Sequence, residues 1–100
     1  MTSAKIRIHT LDDMRRILIP RALRSQLGWQ VGDTLSGFAD INRNCVTISK
    51  AQYGDLEIDG LGRVALDKLY HNILDWATET SFAVYIKNDT IVITPPQMLP

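Results

Sequence analysis

The chain of 100 residues has a single cysteine, Cys45, so no internal disulfide can hold it together. It has no apolar run approaching the ~18 residues of a membrane-spanning helix. Nor does a signal-peptide pattern follow Met1. These absences point to a soluble protein that stays in the cytoplasm. There is no phosphate-cradling glycine loop and no nucleophile elbow, and neither His9 nor His71 has a second ligand at metal-binding spacing. Catalysis, a metal and a cofactor are therefore not expected. Asp12 and Asp13 read as solvated or capping groups of a turn. Cys45, inside the alternating run Cys45-Val46-Thr47-Ile48, reads as a small strand residue.

Net charge is also lacking, with 11 cations against 11 anions. Its distribution is uneven. Residues 1–50 hold eight cations and four anions, and residues 51–100 hold three cations and seven anions, so a half of +4 precedes a half of −4. A neutral total would argue weakly against nucleic acid, but a basic half joined to an acidic one argues for one charged face and one face with another task. At this length one domain with one core is expected.

The most informative stretch runs from Asp12 to Asp33. Asp12 to Arg16 must turn, and Asp12 can accept backbone N–H bonds there while facing Arg16. A structural clamp and a ligand-binding Arg16 are both open readings. Ile17-Leu18-Ile19 is a β-type triplet, and Pro20 suits the start of a helix because its missing N–H would be unsatisfied there. In that helix Leu23 and Leu27 share one face, Arg21 and Arg24 share another, and Gly28 stands where a left-handed C-cap is needed. Before this stretch, Lys5 to Thr10 alternates, so Ile6 and Ile8 are expected to face the core and Lys5, Arg7 and His9 to form a basic outward row. After it, residues 34–39 and 45–49 form a hairpin, with Trp29 as a hydrophobic plug at its base.

The second half repeats the first. A shift of 47 sets Asp12 on Asp59, Arg16 on Arg63, Ile17 on Val64, Leu27 on Leu74 and Trp29 on Trp76. A two-residue shortening of the following loop sets Ile48 on Ile93. Asp59 and Arg63 are read as a structural turn, Asp67 as an N-cap or first-turn anion, and residues 68–74 as a helix with an apolar surface from Leu69, Tyr70, Ile73 and Leu74. Residues 81–86 and 91–93 form a hairpin around a tight turn at Asn88-Asp89. Arg24 becomes His71 and Arg21 becomes Lys68, so the second copy keeps the apolar pattern and loses most of the positive charge.

The ordered set Asp12, Arg16, Ile17 to Pro20, Leu23-Arg24, Leu27-Gly28 and Gly32-Asp33 resembles the AbrB/SpoVT family of bacterial swapped-hairpin transcription factors, over roughly residues 5–50. The resemblance implies a mostly β fold with short helices, in which two tandem β-β-α-β-β repeats, 1–50 and 51–100, interleave their hairpins into one pseudo-twofold barrel. It also implies a regulator that binds double-stranded DNA with loose sequence preference as an oligomer. On that basis the expected DNA face comprises Arg16, Arg24, Arg15, Arg21, Arg7, Lys5 and His9. With so few cations, a homodimer is the favoured binding species. The alternative is a protein-interaction adaptor or antitoxin-like module that binds a protein partner through the acidic second repeat. Only residues 95–100 follow the last strand, which is short for an inhibitory arm.

Overall fold

The computed structural model describes residues 6–66 and 68–99; Lys5 and Asp67, with the roles expected of them, lie outside these. The fold is mostly β. In chain order the elements are β1 (Arg7–Thr10), β2 (Arg16–Leu18), α1 (Arg21–Leu27), β3 (Thr34–Asp40), β4 (Cys45–Lys50), β5 (Leu56–Glu57), β6 (Arg63–Ala65), α2 (Lys68–Leu74), β7 (Ser81–Lys87) and β8 (Thr90–Thr94), followed by a 3-10 turn (Pro96–Met98). Six strands form a curled half-barrel sheet in the order β1-β7-β8-β4-β3-β5, and β2 and β6 form a separate two-stranded ribbon. No helix of the described residues is long and apolar enough to cross a membrane.

Local chemistry explains the elements. Pro20 precedes α1 with φ −55° and ψ 141°, and left-handed Gly28 (φ 73°) ends it. The N–H of Gly28 reaches the carbonyl of Ser25 at 3.2 Å and that of Trp29 reaches Arg24 at 2.8 Å, the paired bonds of a Schellman motif. At the end of α2 Asp75 takes the same backbone conformation with φ 55°. Asn88 and Asp89, at φ 51° and 63°, form the mirror-image turn that matches the twist of hairpin β7–β8.

The two halves exchange strands. β1 of the first half pairs with β7 of the second at Thr10↔Ser81, and β5 of the second pairs with β3 of the first at Glu57↔Thr34, which is the same pairing displaced by 47. The bond from Leu11 N–H to the Thr80 carbonyl, 3.0 Å, recurs as Ile58 to Asp33, 3.1 Å. After the shorter second loop the displacement is 45, and β4 and β8 meet at Val46↔Ile93 and Ile48↔Ile91. Leu35, Val46, Ile48, Val84, Ile91 and Ile93 from the sheet, and Ile17 and Val64 from the ribbon, are fully buried. Trp29 and Trp76 cover this core, Trp76 packing against Phe82 at 4.3 Å between ring centroids.

Strand β1 corrects one expectation. Its isoleucines face outward: Ile6 is 48% and Ile8 54% exposed, whereas Leu11 is buried. With a two-residue period, buried Leu11 puts His9 on the inward side, opposite Phe82. The residue 47 positions on from His9 is Leu56, which is buried at the matching place. His9 is half-buried and does not extend an outward basic row. On α2, Tyr70 is buried and Leu74 packs on the core, while Ile73 is exposed.

Candidate nucleic-acid interface

Each ribbon strand starts from the same turn, built twice. Asp12 accepts the N–H groups of Met14 (2.9 Å) and Arg16 (2.8 Å) on Oδ1, and Arg16 Nε (2.8 Å) on Oδ2. Asp59 accepts Leu61 N–H (2.9 Å), Arg63 N–H (2.9 Å) and Arg63 Nε (3.0 Å) in the same way. The backbone closes each loop through Asp12 N–H to the Arg16 carbonyl and Asp59 N–H to the Arg63 carbonyl, both 2.9 Å. The residue before each arginine is left-handed, Arg15 at φ 61° and Gly62 at φ 82°. Partial burial opposes ionisation of both carboxyls, but the backbone N–H donors and the adjacent guanidinium outweigh it and hold them below the ordinary carboxylate range.

The ribbon register brings the two clamped arginines together. Arg16 stands opposite Ala65 and Arg63 opposite Leu18, with Ile17 and Val64 turned into the core. Alternation therefore puts Arg16 and Arg63 on the same outward face as diagonal neighbours, ~7–8 Å apart at the backbone. Because each Nε is held by its aspartate, the Nη groups are what remains to reach an acceptor. Arg24 adds a third cation. Its Nε donates to the Ile19 carbonyl at 2.9 Å, and its guanidinium lies over Gly62, where a Cβ would come within 2.8 Å of Nη2. Glycine leaves room for that contact.

The other expected residues divide. Arg21 is exposed on the first turn of α1, three positions before Arg24 and on the same face. Arg7 is exposed on edge strand β1, which belongs to the large sheet and not to the ribbon. Arg15 is turned inward: with Leu11, Leu66, Tyr70, His71 and Trp76 it lines a small crevice, and its buried Nη1 has no hydrogen-bond partner. That nitrogen faces the crevice and not the outward face of the ribbon. His9 is half-buried; burial first and Arg7 second push its pKa down, so its charge at neutral pH is small.

Arg63 is the residue that the sequence reading assigned only to a structural turn, although the shift of 47 that sets it on Arg16 carried the signal. At the place of Arg24 the second half has His71, whose Nδ1 lies 3.3 Å from the Trp76 carbonyl. Cys45 is half-buried on β4, and burial first, with nearby Asp40 second, raises its thiol pKa, which suits an unreactive strand residue. Among the described residues no group of three or more histidines, cysteines and carboxylates could hold a metal ion.

No family model and no curated protein matches the chain. What it binds must be argued from the site.

Proposed function

We propose that the chain is a DNA-binding regulator of AbrB/SpoVT type, with the swapped-hairpin barrel of that family built from two repeats on one chain, and that it contacts duplex DNA through the β2–β6 ribbon. The observation that carries this reading is the ribbon register: Arg16 and Arg63 share an outward face with Arg24 beside them, each guanidinium oriented by a carboxylate or a carbonyl. Guanidinium groups fixed at Nε present a planar pair of donors suited to phosphate oxygens or a guanine edge. Arg21 extends the row along α1. Three or four cations give modest affinity, which two chains placed side by side would multiply. Asp12 and Asp59 then fix the arginines without joining the contact.

The test is binding to a pool of AT-rich duplexes across a salt series. The expected slope of log affinity against log salt is about −0.9 for each phosphate neutralised, hence roughly −3 per chain for three contacts. Arg63→Ala and Arg24→Ala should each reduce the slope by about one unit, while Arg15→Ala leaves it unchanged. Absence of binding at low salt would overturn the reading. In that case a protein partner for the acidic half becomes the first hypothesis.

A further inference from the structure

The outer face of the six-stranded sheet holds a trough that neither the core nor the ribbon uses. Four side chains stand in one row across the strands: Tyr85 on β7 is opposite Val92 on β8, Val92 is opposite Thr47 on β4, and Thr47 is opposite Phe38 on β3. The row reads large, small, small, large. Two aromatic walls stand three strand spacings apart, ~14 Å at the backbone, above a floor of β-branched residues. Phe38 is 67% exposed, so one wall is uncovered.

The trough is also closed along the strands. Its floor runs on β8 from Thr94 to Thr90, ~13 Å. Arg43 and Asn42 from one hairpin loop bound one end, and Lys87 at the end of β7 with Asn88 beyond it bound the opposite end. The trough holds about 620 Å³, within the ~300–1,000 Å³ of small-molecule sites. A helix, 10–12 Å across, needs open ends, and an added strand needs a free sheet edge. The floor of this row, Thr47 and Val92, lies mid-sheet on strands already paired on both sides. The charges at the two ends differ. Arg43 lies 3.9 Å from Asp40, whereas Lys87 forms no ion pair among the described residues.

We propose that this trough binds a single amphipathic organic anion, its flat aromatic or short acyl body lying on Thr47 and Val92 between Phe38 and Tyr85, and its carboxylate or sulfonate reaching Lys87. Burial of apolar ligand surface against the row holds the body, and the uncompensated ammonium selects the charge. The core lies between this face and the ribbon, so the site does not depend on the DNA-binding reading.

The test uses the full chain and two probes: 8-anilinonaphthalene-1-sulfonate and its neutral relative N-phenyl-1-naphthylamine. Fluorescence titration gives the affinity and stoichiometry, and amide shifts in a nitrogen-15 spectrum give the location. The expected result is saturable binding of one sulfonate probe per chain, with shifts confined to the trough, in the middle of β3, β4, β7 and β8 and at Lys87 and the two hairpin loops that bound it. Lys87→Ala should weaken the sulfonate probe about tenfold and leave the neutral one unchanged, whereas Phe38→Ala, at an exposed position, should weaken both. The proposal is overturned by absence of saturable binding up to millimolar probe, by shifts outside the trough, or by equal effects of Lys87→Ala on both probes. Concentration-dependent shifts of the same residues without probe, together with a dimer in sedimentation, would assign the face to a second copy and overturn it as well.

Discussion

Replacing Gly62 with alanine isolates what the Arg24 contact contributes. Gly62 has φ 82°, and a Cβ there would lie 2.8 Å from Arg24 Nη2 and 3.0 Å from Cζ. Gly28, at φ 73°, would place a Cβ with nothing within 4 Å. The two glycines share the backbone strain and differ in the neighbour. Forcing an L residue into the left-handed region costs about 1–2 kcal/mol, offset by about 0.4–1 kcal/mol from a less flexible unfolded chain. Gly28→Ala should therefore cost about 1 kcal/mol, a fall of roughly 4–8 °C in Tm for a domain of this size. Arg15 already holds a side chain in the matching conformation of the first turn, so the backbone term at residue 62 is of the same order. Gly62→Ala must in addition displace the Arg24 guanidinium and its bond to Ile19, about 1 kcal/mol for a half-exposed charged donor, for a total of about 2 kcal/mol. In an Arg24→Ala background the extra loss should vanish, leaving a coupling of about 1 kcal/mol in a double-mutant cycle followed by urea unfolding. If Gly62→Ala costs the same in both backgrounds, Arg24 does not rest on Gly62 in solution and the description of that contact is wrong.

Asp59→Asn removes the charged partner of Arg63 and weakens both backbone bonds, so it should lower stability by about 1–2 kcal/mol in urea. Acid titration should show the same groups. Asp12 and Asp59 have folded pKa values below 3.8, so their stabilisation is complete above the unfolded value and is lost as pH falls through the lower folded one. A variant with both aspartates changed to asparagine should have a flatter acid limb. His9 works in the window above: its folded pKa lies below 6.5, the unfolded chain takes up the proton first, and stability should decline as pH drops through the unfolded value, an effect that His9→Gln abolishes. Gly37→Ala would drive a Cβ into the Tyr70 hydroxyl, which is bonded to Asp55, and to within 2.9 Å of Leu56 Cδ1. It should cost about 1–3 kcal/mol in thermal unfolding, more than Gly28→Ala.

Local punctuation makes most elements legible in the sequence. Pro20 and Gly28 bracket α1, Asn88-Asp89 marks the last hairpin, and every strand except the two-residue β5 falls within two residues of a stretch expected to be β. What failed was facing. The alternation in β1 was seen, but Ile6 and Ile8 were assigned inward because isoleucine is the more apolar set, while Leu11, beyond the strand end, sets the phase. A four-residue edge strand pairs on one side only, so its own composition does not fix which face is covered. The site was half legible for a related reason. Arg15 and Arg16 are indistinguishable by charge, and the left-handed backbone at Arg15 sends one inward and the other outward. Arg63 is visible as the repeat of Arg16, but their diagonal placement on one face exists only once β2 and β6 pair, which no local pattern encodes.

The pairing of the halves also separates structural duty from binding duty among the arginines. The Asp–Arg turn is built identically at Asp12–Arg16 and Asp59–Arg63, and each copy satisfies backbone N–H groups that would otherwise be left bare at the start of a ribbon strand. The aspartate's presence in both halves thus follows from folding alone, whether or not Arg16 and Arg63 touch DNA. Arg24 and Arg21 do not repeat in this way, although Arg24 Nε does bond the Ile19 carbonyl. At the matching places stand His71 and Lys68, and the His71 half of the ribbon closes without a guanidinium. A cation that one half keeps and the other dispenses with on the same backbone is not explained by the backbone. The difference between the halves therefore concentrates the functional question on Arg24, at one end of the ribbon, since Lys68 keeps a cation at the place of Arg21. On the DNA-binding reading it makes the two ends unequal in affinity, so that one chain should prefer one orientation on an asymmetric site. A duplex cleaved by a reagent tethered at Gln26→Cys, exposed on α1, in a Cys45→Ser background should then be cut on one side of the site and not on both.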